Sequence, residues 1–273
     1  MHYFERRHRS AGLLAVVAAM CLQLVSSTSA LAAKPAETEF ARSGLPPLLH
    51  AHTWLLQGIK APGGSCQYEY LGGSAEIPAD GWELRAIAID MAACRKVMEE
   101  GVPTQLALAA DVRQGASSDT SNQILGPIAN PARQSDLTAA VTSTKGAWQR
   151  VVWTDIIGVT VNHDVTQINW QYNGSIVLSG NAAGYWYHLG GWEILSTSVT
   201  QGFFSGAFRG QTTSTFRNQG FCGTGQPPVY VYHFYNRVWG HFNGTATRDY
   251  STTSANECLP LFVTFQSAYG QWA

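Results

Sequence analysis

Val229-Tyr-Val-Tyr-His-Phe-Tyr-Asn-Arg-Val-Trp-Gly-His-Phe242, followed by Asn243-Gly244 and Thr245-Ala-Thr-Arg248, is the stretch that decides the fold. Aromatic and β-branched side chains pack best on a pleated, half-buried surface. Asn-Gly favours a two-residue hairpin turn, because both central positions need positive φ. The pattern predicts a long strand, a tight turn and a return strand. Along the first strand, Tyr230, Tyr232 and Phe234 should face one side and Val231, His233 and Tyr235 the other.

The same signal extends outward from this hairpin. Thr166-Gln-Ile-Asn-Trp-Gln-Tyr172 alternates strictly, so Ile168, Trp170 and Tyr172 share a buried face and Gln167, Asn169 and Gln171 a wet one. Asn173-Gly174 then turns the chain into Ser175-Ile-Val-Leu178. Further strands are predicted at Trp148–Ile157, Gly184–Leu189, Trp192–Thr200, Phe203–Phe216 and Leu259–Gln266. Short strands at even spacing with Gly or Asn turns argue a mostly β fold. Over residues 146–273 the expectation is an antiparallel β-sandwich or barrel.

Residues 111–145 change character. Ser, Thr, Asn, Gly and Pro crowd them, as in Gln114-Gly-Ala-Ser-Ser-Asp-Thr-Ser-Asn122, and such a stretch buries little. It reads as a linker or long loop after a smaller cystine-linked N-terminal part, residues 33–110. In that part Cys66–Leu71 alternates like a strand and Gly72-Gly73 ends it. Leu48–Ile59 is a short helix or a first strand. Residues 82–100 form a hairpin of Leu84–Ile89 and Cys94–Glu99 about a turn at Asp90–Ala93, or else a single helix.

The first 32 residues have the layout of a secretory signal peptide: Arg6, Arg7 and Arg9, an uncharged apolar run from Ala11 to Val25, and small residues at Ala30-Leu31-Ala32. The run is shorter than the ~20 residues that span a bilayer, so cleavage is expected rather than an anchor. What remains is mildly acidic, without the basic balance of a nucleic-acid binder. Charged residues are 13% and aromatic residues 11% of the chain. Against the usual ~25% charged, this favours a secreted β protein over a cytosolic helical one. Cys66, Cys94, Cys222 and Cys258 are an even set behind a signal peptide, which reads as two disulfides in an oxidising compartment. Three pairings are possible, and Cys66–Cys94 with Cys222–Cys258 is preferred because each pair falls within one segment. No C-x-x-C occurs and the spacings fit no common zinc site.

Trp153-Thr-Asp155, Gly158, Ile168-Asn-Trp170-Gln-Tyr172-Asn-Gly174, Gly191-Trp192, Phe216-Arg-Asn218, Phe221-Cys222, Asn243-Gly244 and Cys258, with the stretch from Cys94 to Pro103, resemble a group of uncharacterised exported proteins of high-GC Gram-positive bacteria. The matched residues are turns, cystines and core tryptophans. The resemblance therefore implies a fold and carries over no catalytic residue.

Signals for chemistry are sparse. No Gly-x-Ser-x-Gly elbow occurs, and Gly202-Phe-Phe-Ser205-Gly206 has the wrong spacing. His50, His52, His163 and His241 are scattered candidates without a His-Glu-x-x-His motif, so no metal and no cofactor is expected. Glu193 follows Trp192 beside Tyr185-Trp186-Tyr187 and, with Asp155, is the carboxylate pair that a glycosidase reading would use. The leading expectation is a secreted, non-catalytic binding protein for a glycan or another surface polymer. The contacts would come from Tyr185, Trp186, Tyr187, Trp192, Tyr232 and Tyr235. A secreted hydrolase and a structural envelope protein are the alternatives.

Overall fold

The computed structural model describes residues 39–42, 44–61, 64–104, 128–129 and 142–270. The expected signal peptide lies outside them. Among the described residues the regular structure is antiparallel β, in two large sheets.

The first sheet has nine strands. Its path runs β2 (Leu48–Gln57), β7 (Arg95–Pro103), β6 (Trp82–Asp90), β16 (Phe262–Gly270), β9 (Ser143–Thr154), β10 (Thr160–Tyr172), β11 (Val177–His188), β8 (Ile128–Ala129), with β1 (Glu39–Ala41) also on β6. The second has five: β12 (Trp192–Phe204), β13 (Ala207–Asn218), β14 (Val229–Gly240), β15 (Ala246–Ala255) and β5 (Glu69–Glu76). A small pair, β3 (Ile59–Lys60) with β4 (Cys66–Gln67), stands apart. Strands β9, β10 and β11 face β12, β13 and β14, and the inner residues of both sheets make one core.

The alternation read from the sequence is visible in β10, where Ile168 and Trp170 are buried and Gln171 is exposed, and β13 shows it too, every second residue from Phe208 to Asn218 being buried. The hairpin of β14 and β15 forms and is longer than its return strand suggested. Its turn differs from the expectation. Only Gly244 has positive φ, at 80°, and Gly244 N–H donates to His241 O at 3.0 Å. One residue more than a two-residue turn is used, with glycine at the left-handed position. The stretch Phe203–Phe216, expected as one strand, holds a hairpin turn at Ser205-Gly206, both with positive φ (48° and 81°). Gly72-Gly73 does not end its strand. Gly72 sits opposite Tyr250, where a Cβ would collide with the ring that Tyr250 stacks on Phe265, 4.1 Å away.

The disulfides are Cys66–Cys94 and Cys222–Cys258, the preferred pairing. Residues 82–100 are a hairpin, and Leu48–Gln57 is a strand. The expected division into a small N-terminal subdomain and a separate β domain is corrected by sheet membership. Strands β6 and β7 extend the nine-stranded sheet through β16, while β5 closes the five-stranded sheet against β15. Both halves of the chain bury apolar surface in the same core, so Glu37–Ala273 is one unit. Of the expected linker, only 128–129 and 142–145 are described.

The sheets approach closely because large rings on one lie over glycines on the other. Trp170 of β10 covers Gly240 of β14, and Phe208 of β13 covers Gly180 of β11, where an added Cβ would lie 2.5 Å from the ring. Ile168 and Ala182 close over Gly210 in the same way. Gly240→Ala should therefore cost ~1–3 kcal/mol by overpacking. Gly73→Ala, with open space around it, should stay within about 0.5 kcal/mol of the parent. Urea unfolding midpoints check both.

Candidate functional site

The six residues expected to contact a ligand fall in three places. Trp186 and Trp192 are in the core. On β11 the inward positions are Gly180, Ala182, Gly184 and Trp186, and the Trp186 indole donates to Asp164 Oδ2 at 3.1 Å. Trp192 packs on Phe221, with ring centres 5.8 Å apart. Tyr185 and Tyr187 point to the outer face of the nine-stranded sheet. There Tyr185 packs with Trp148, Val165 and Ala268, and Tyr187 stacks on His163 at 5.2 Å. Tyr232 and Tyr235 lie on the outer face of the five-stranded sheet, on the opposite side of the molecule.

Tyr235 was expected on the side of His233 and is not. The register of β14 shifts between His233 and Tyr235 against β15, and against β13 at Thr212/Ser214. One inserted residue reverses the alternation. Val231 and His233 point inward before it, and Asn236, Val238 and Gly240 after it. Tyr230, Tyr232 and Phe234 are thus followed on the same outer face by Tyr235, Arg237 and Trp239.

This face has a defined make-up. The rings of Tyr230, Tyr232 and Phe234 are parallel within 9°, with centres 5.7 and 6.0 Å apart. Phe234 is 53% exposed. Arg237 lies 3.8 Å over Tyr235, donates to Gln211 Oε1 at 2.8 Å and pairs with Asp249 at 3.2 Å. Beside them β12 and β13 present Ser and Thr, with Ser198 and Thr213 hydroxyls 2.7 Å apart. Arg209 lies over Phe204 with Trp239 beside it, and those two rings meet edge to face at 6.0 Å. Sequence reading missed Phe204, Arg209, Arg237 and Trp239. The alternation of Phe208-Arg-Gly-Gln211, with Phe208 and Gly210 buried, was the signal available for Arg209.

The carboxylates of the hydrolase reading are not brought together. Asp155 sits in the β9–β10 turn, where its Oδ1 accepts from Ile157 N–H at 3.0 Å and Val159 N–H at 2.9 Å. Glu193 belongs to the other sheet and pairs with Arg217 at 2.6 Å. The Arg217 hydrogen bond holds Glu193 below the usual carboxylate range, the reverse of what a general acid needs.

Histidines serve other contacts. His52 stacks on Trp54 and lies 3.5 Å from Glu100. His241 Nε2 meets the Thr247 hydroxyl at 2.9 Å. Among the described residues, no group of three or more His, Cys, Asp or Glu could hold a metal ion. A cleft of about 620 Å³ opens beside Cys222–Cys258, between Phe40, Met91, Leu259 and Pro260. Its carboxyl, Glu257, is turned inward to the Ser254 hydroxyl and Leu261 N–H, so it is not offered to a ligand.

Comparison of the chain with protein families, curated proteins and solved structures finds no match. The geometry above is what bears on function.

Inside the sandwich, the buried Asp164 carboxyl accepts from Trp186, from Ser214 Oγ at 2.7 Å, from Asn236 Nδ2 at 3.0 Å and from the Thr212 hydroxyl. His233 is buried near it with neither ring nitrogen hydrogen-bonded to protein. Burial lowers His233 to about 4, against a partial opposing pull from Asp164. Burial, then Arg150 and His233, lowers His163 to about 3. Asp164→Ala removes an acceptor shared by four buried donors and should cost ~3 kcal/mol or more; denaturant titration measures it. The imidazoles add a pH dependence. The unfolded chain takes up their protons near pH 6.5, the folded chain only near 4 or below. Stability is therefore complete above pH 6.5 and declines as the pH falls toward 4, with His233 contributing ~3 kcal/mol of the decline. Urea midpoints from pH 7 to 4 should show this fall, and His233→Phe should reduce it while leaving the part due to His163.

Proposed function

We propose that this is a secreted, non-catalytic binding protein that recognises a glycan, or a surface polymer of like chemistry, through the outer face of the five-stranded sheet. The carrying observation is the run of Tyr230, Tyr232 and Phe234, continued by Tyr235 and Trp239. An exposed aromatic patch costs solubility and marks a contact surface when it is retained. Sugar rings combine apolar C–H faces with a rim of hydroxyls. Tyrosine has the same division, an apolar ring and a polar tip. The flanking Ser, Thr, Gln and Arg groups supply hydrogen-bond partners for such a rim.

Export is supported by the two disulfides, which persist in oxidising compartments, and by the signal-like N-terminal segment. Among the described residues no helix is long and apolar enough to cross a membrane. The expectation is narrowed in one respect. Trp186 and Trp192 are core residues, and Tyr185 and Tyr187 belong to the other side of the molecule, so Tyr232 and Tyr235 are the members of the original set that stay in the proposed site. The carboxylates named for the hydrolase alternative, Asp155 and Glu193, lie on different sheets and give it no support.

Retention on a panel of immobilised polysaccharides tests the proposal. Tyr232→Ala and Phe234→Ala should each weaken binding by about tenfold while leaving the fold intact, a scale set by single aromatic contacts. Trp186→Ala should instead destabilise the protein. Failure of the parent protein to bind any glycan on the panel removes the reading.

A further inference from the structure

Among the described residues, Arg209 is a cation on the proposed binding face that shares its nearby carboxylate, Asp249, with a second guanidinium. Phe208 and Gly210 point into the core, so Arg209 between them must point out. Its guanidinium carbon lies 3.7 Å from the Phe204 ring centre and 5.3 Å from that of Trp239. Among the described residues it has no salt bridge and no side-chain hydrogen bond, and its Nε is buried without a partner.

The neighbours show why no protein acid serves it. Across β12 it faces Gly202, and across β14 it faces Trp239. The carboxyl group close by is Asp249, already bound to Arg237 at 3.2 Å and to Trp239 Nε1 at 3.4 Å. Two guanidinium groups thus stand around one carboxylate, leaving one positive charge in excess. Glu76 stands on the edge strand β5 opposite Thr247, beyond the Trp239 strand and its neighbour. At the other end of the face Glu193 and Arg217 form a closed pair.

An arginine seated on the Phe204 ring beside Trp239 has given up part of its rotamer freedom, so binding costs less ordering. Its planar fork matches a carboxylate, and a half-desolvated guanidinium with no partner gains most from an anion brought by the ligand. We propose that Arg209 is an anion subsite and that the glycan bound by this face is acidic, presenting uronate carboxylates to it. This rests on the glycan reading above and narrows it to a class.

The test uses the full exported chain with polygalacturonate, alginate and hyaluronan, each paired with its carboxyl-esterified form, at one fixed ionic strength. The parent protein should prefer at least one acid form over its ester by about tenfold, the scale of a charge-assisted hydrogen bond. Arg209→Gln should abolish that preference while retaining ester binding, and Arg209→Lys should keep part of it. Tyr232→Ala should weaken both forms alike. Unchanged melting of Arg209→Gln shows that the effect is local. Equal binding of acid and ester by the parent, or an acid preference that survives Arg209→Gln, overturns the anion subsite and leaves the glycan reading standing. Binding of no glycan, acidic or neutral, overturns both.

Discussion

The buried carboxyl of Asp164 is the contact on which the register of the sandwich depends. It is on β10, and its four donors come from β11, β13 and β14, so it joins both sheets at one point. Hydrogen bonds are directional and a buried acceptor without donors is costly. A one-residue slip of β13 would replace Thr212 and Ser214 by side chains that face away. Apolar packing alone would not resist such a slip as strongly. The glycines under Trp170 and Phe208 bring the sheets near enough for these bonds to form.

One bulge serves both sides of the five-stranded sheet. His233 and Asn236 are three residues apart and both point inward, which regular alternation forbids. The inserted residue lets Asn236 reach Asp164. It also sets Phe234 and Tyr235, consecutive in the chain, on the same outer face. The interior hydrogen-bond cluster and the exterior aromatic face are thus two results of a single backbone irregularity.

The two outer faces differ in how far their charges are satisfied. On the nine-stranded sheet Glu99, Arg85, Glu83, Gln266 and Arg150 form a continuous chain of contacts across β7, β6, β16 and β9. That chain closes on itself and asks for no ligand. Deeper in the same sheet, Lys96 is fully buried, donates to Leu261 O at 2.7 Å and lies 3.9 Å over the Tyr68 ring. Burial lowers its amine to about 8, with Glu257 pulling the other way. The Lys96–Glu257 contact of 3.9 Å ties β7 to the connection between β15 and β16, and the Cys66–Cys94 bond joins β4 to the turn before β7. The five-stranded face has rings, hydroxyls and a guanidinium that has no salt bridge among the described residues. This contrast is why the binding proposal is placed there.

Much of the architecture was legible locally. Period-two alternation located β10 and β14, Asn-Gly pairs located two of the hairpins, and segment membership selected the cystine pairs, because each is a property of a few neighbouring residues, while the turn at Ser205-Gly206 inside Phe203–Phe216 was not read. The face that each aromatic occupies was not legible. An inserted residue at Phe234 reverses parity without altering composition. Trp186 is buried because β12 and β13 lie over β11, and Tyr185, its neighbour, looks the opposite way for the same geometric reason. The sequence by itself determined a mostly β chain rich in rings, with four cysteines set to pair. Only the tertiary structure decided which rings meet solvent, since burial is conferred by the strands that a residue faces and those are distant in the chain.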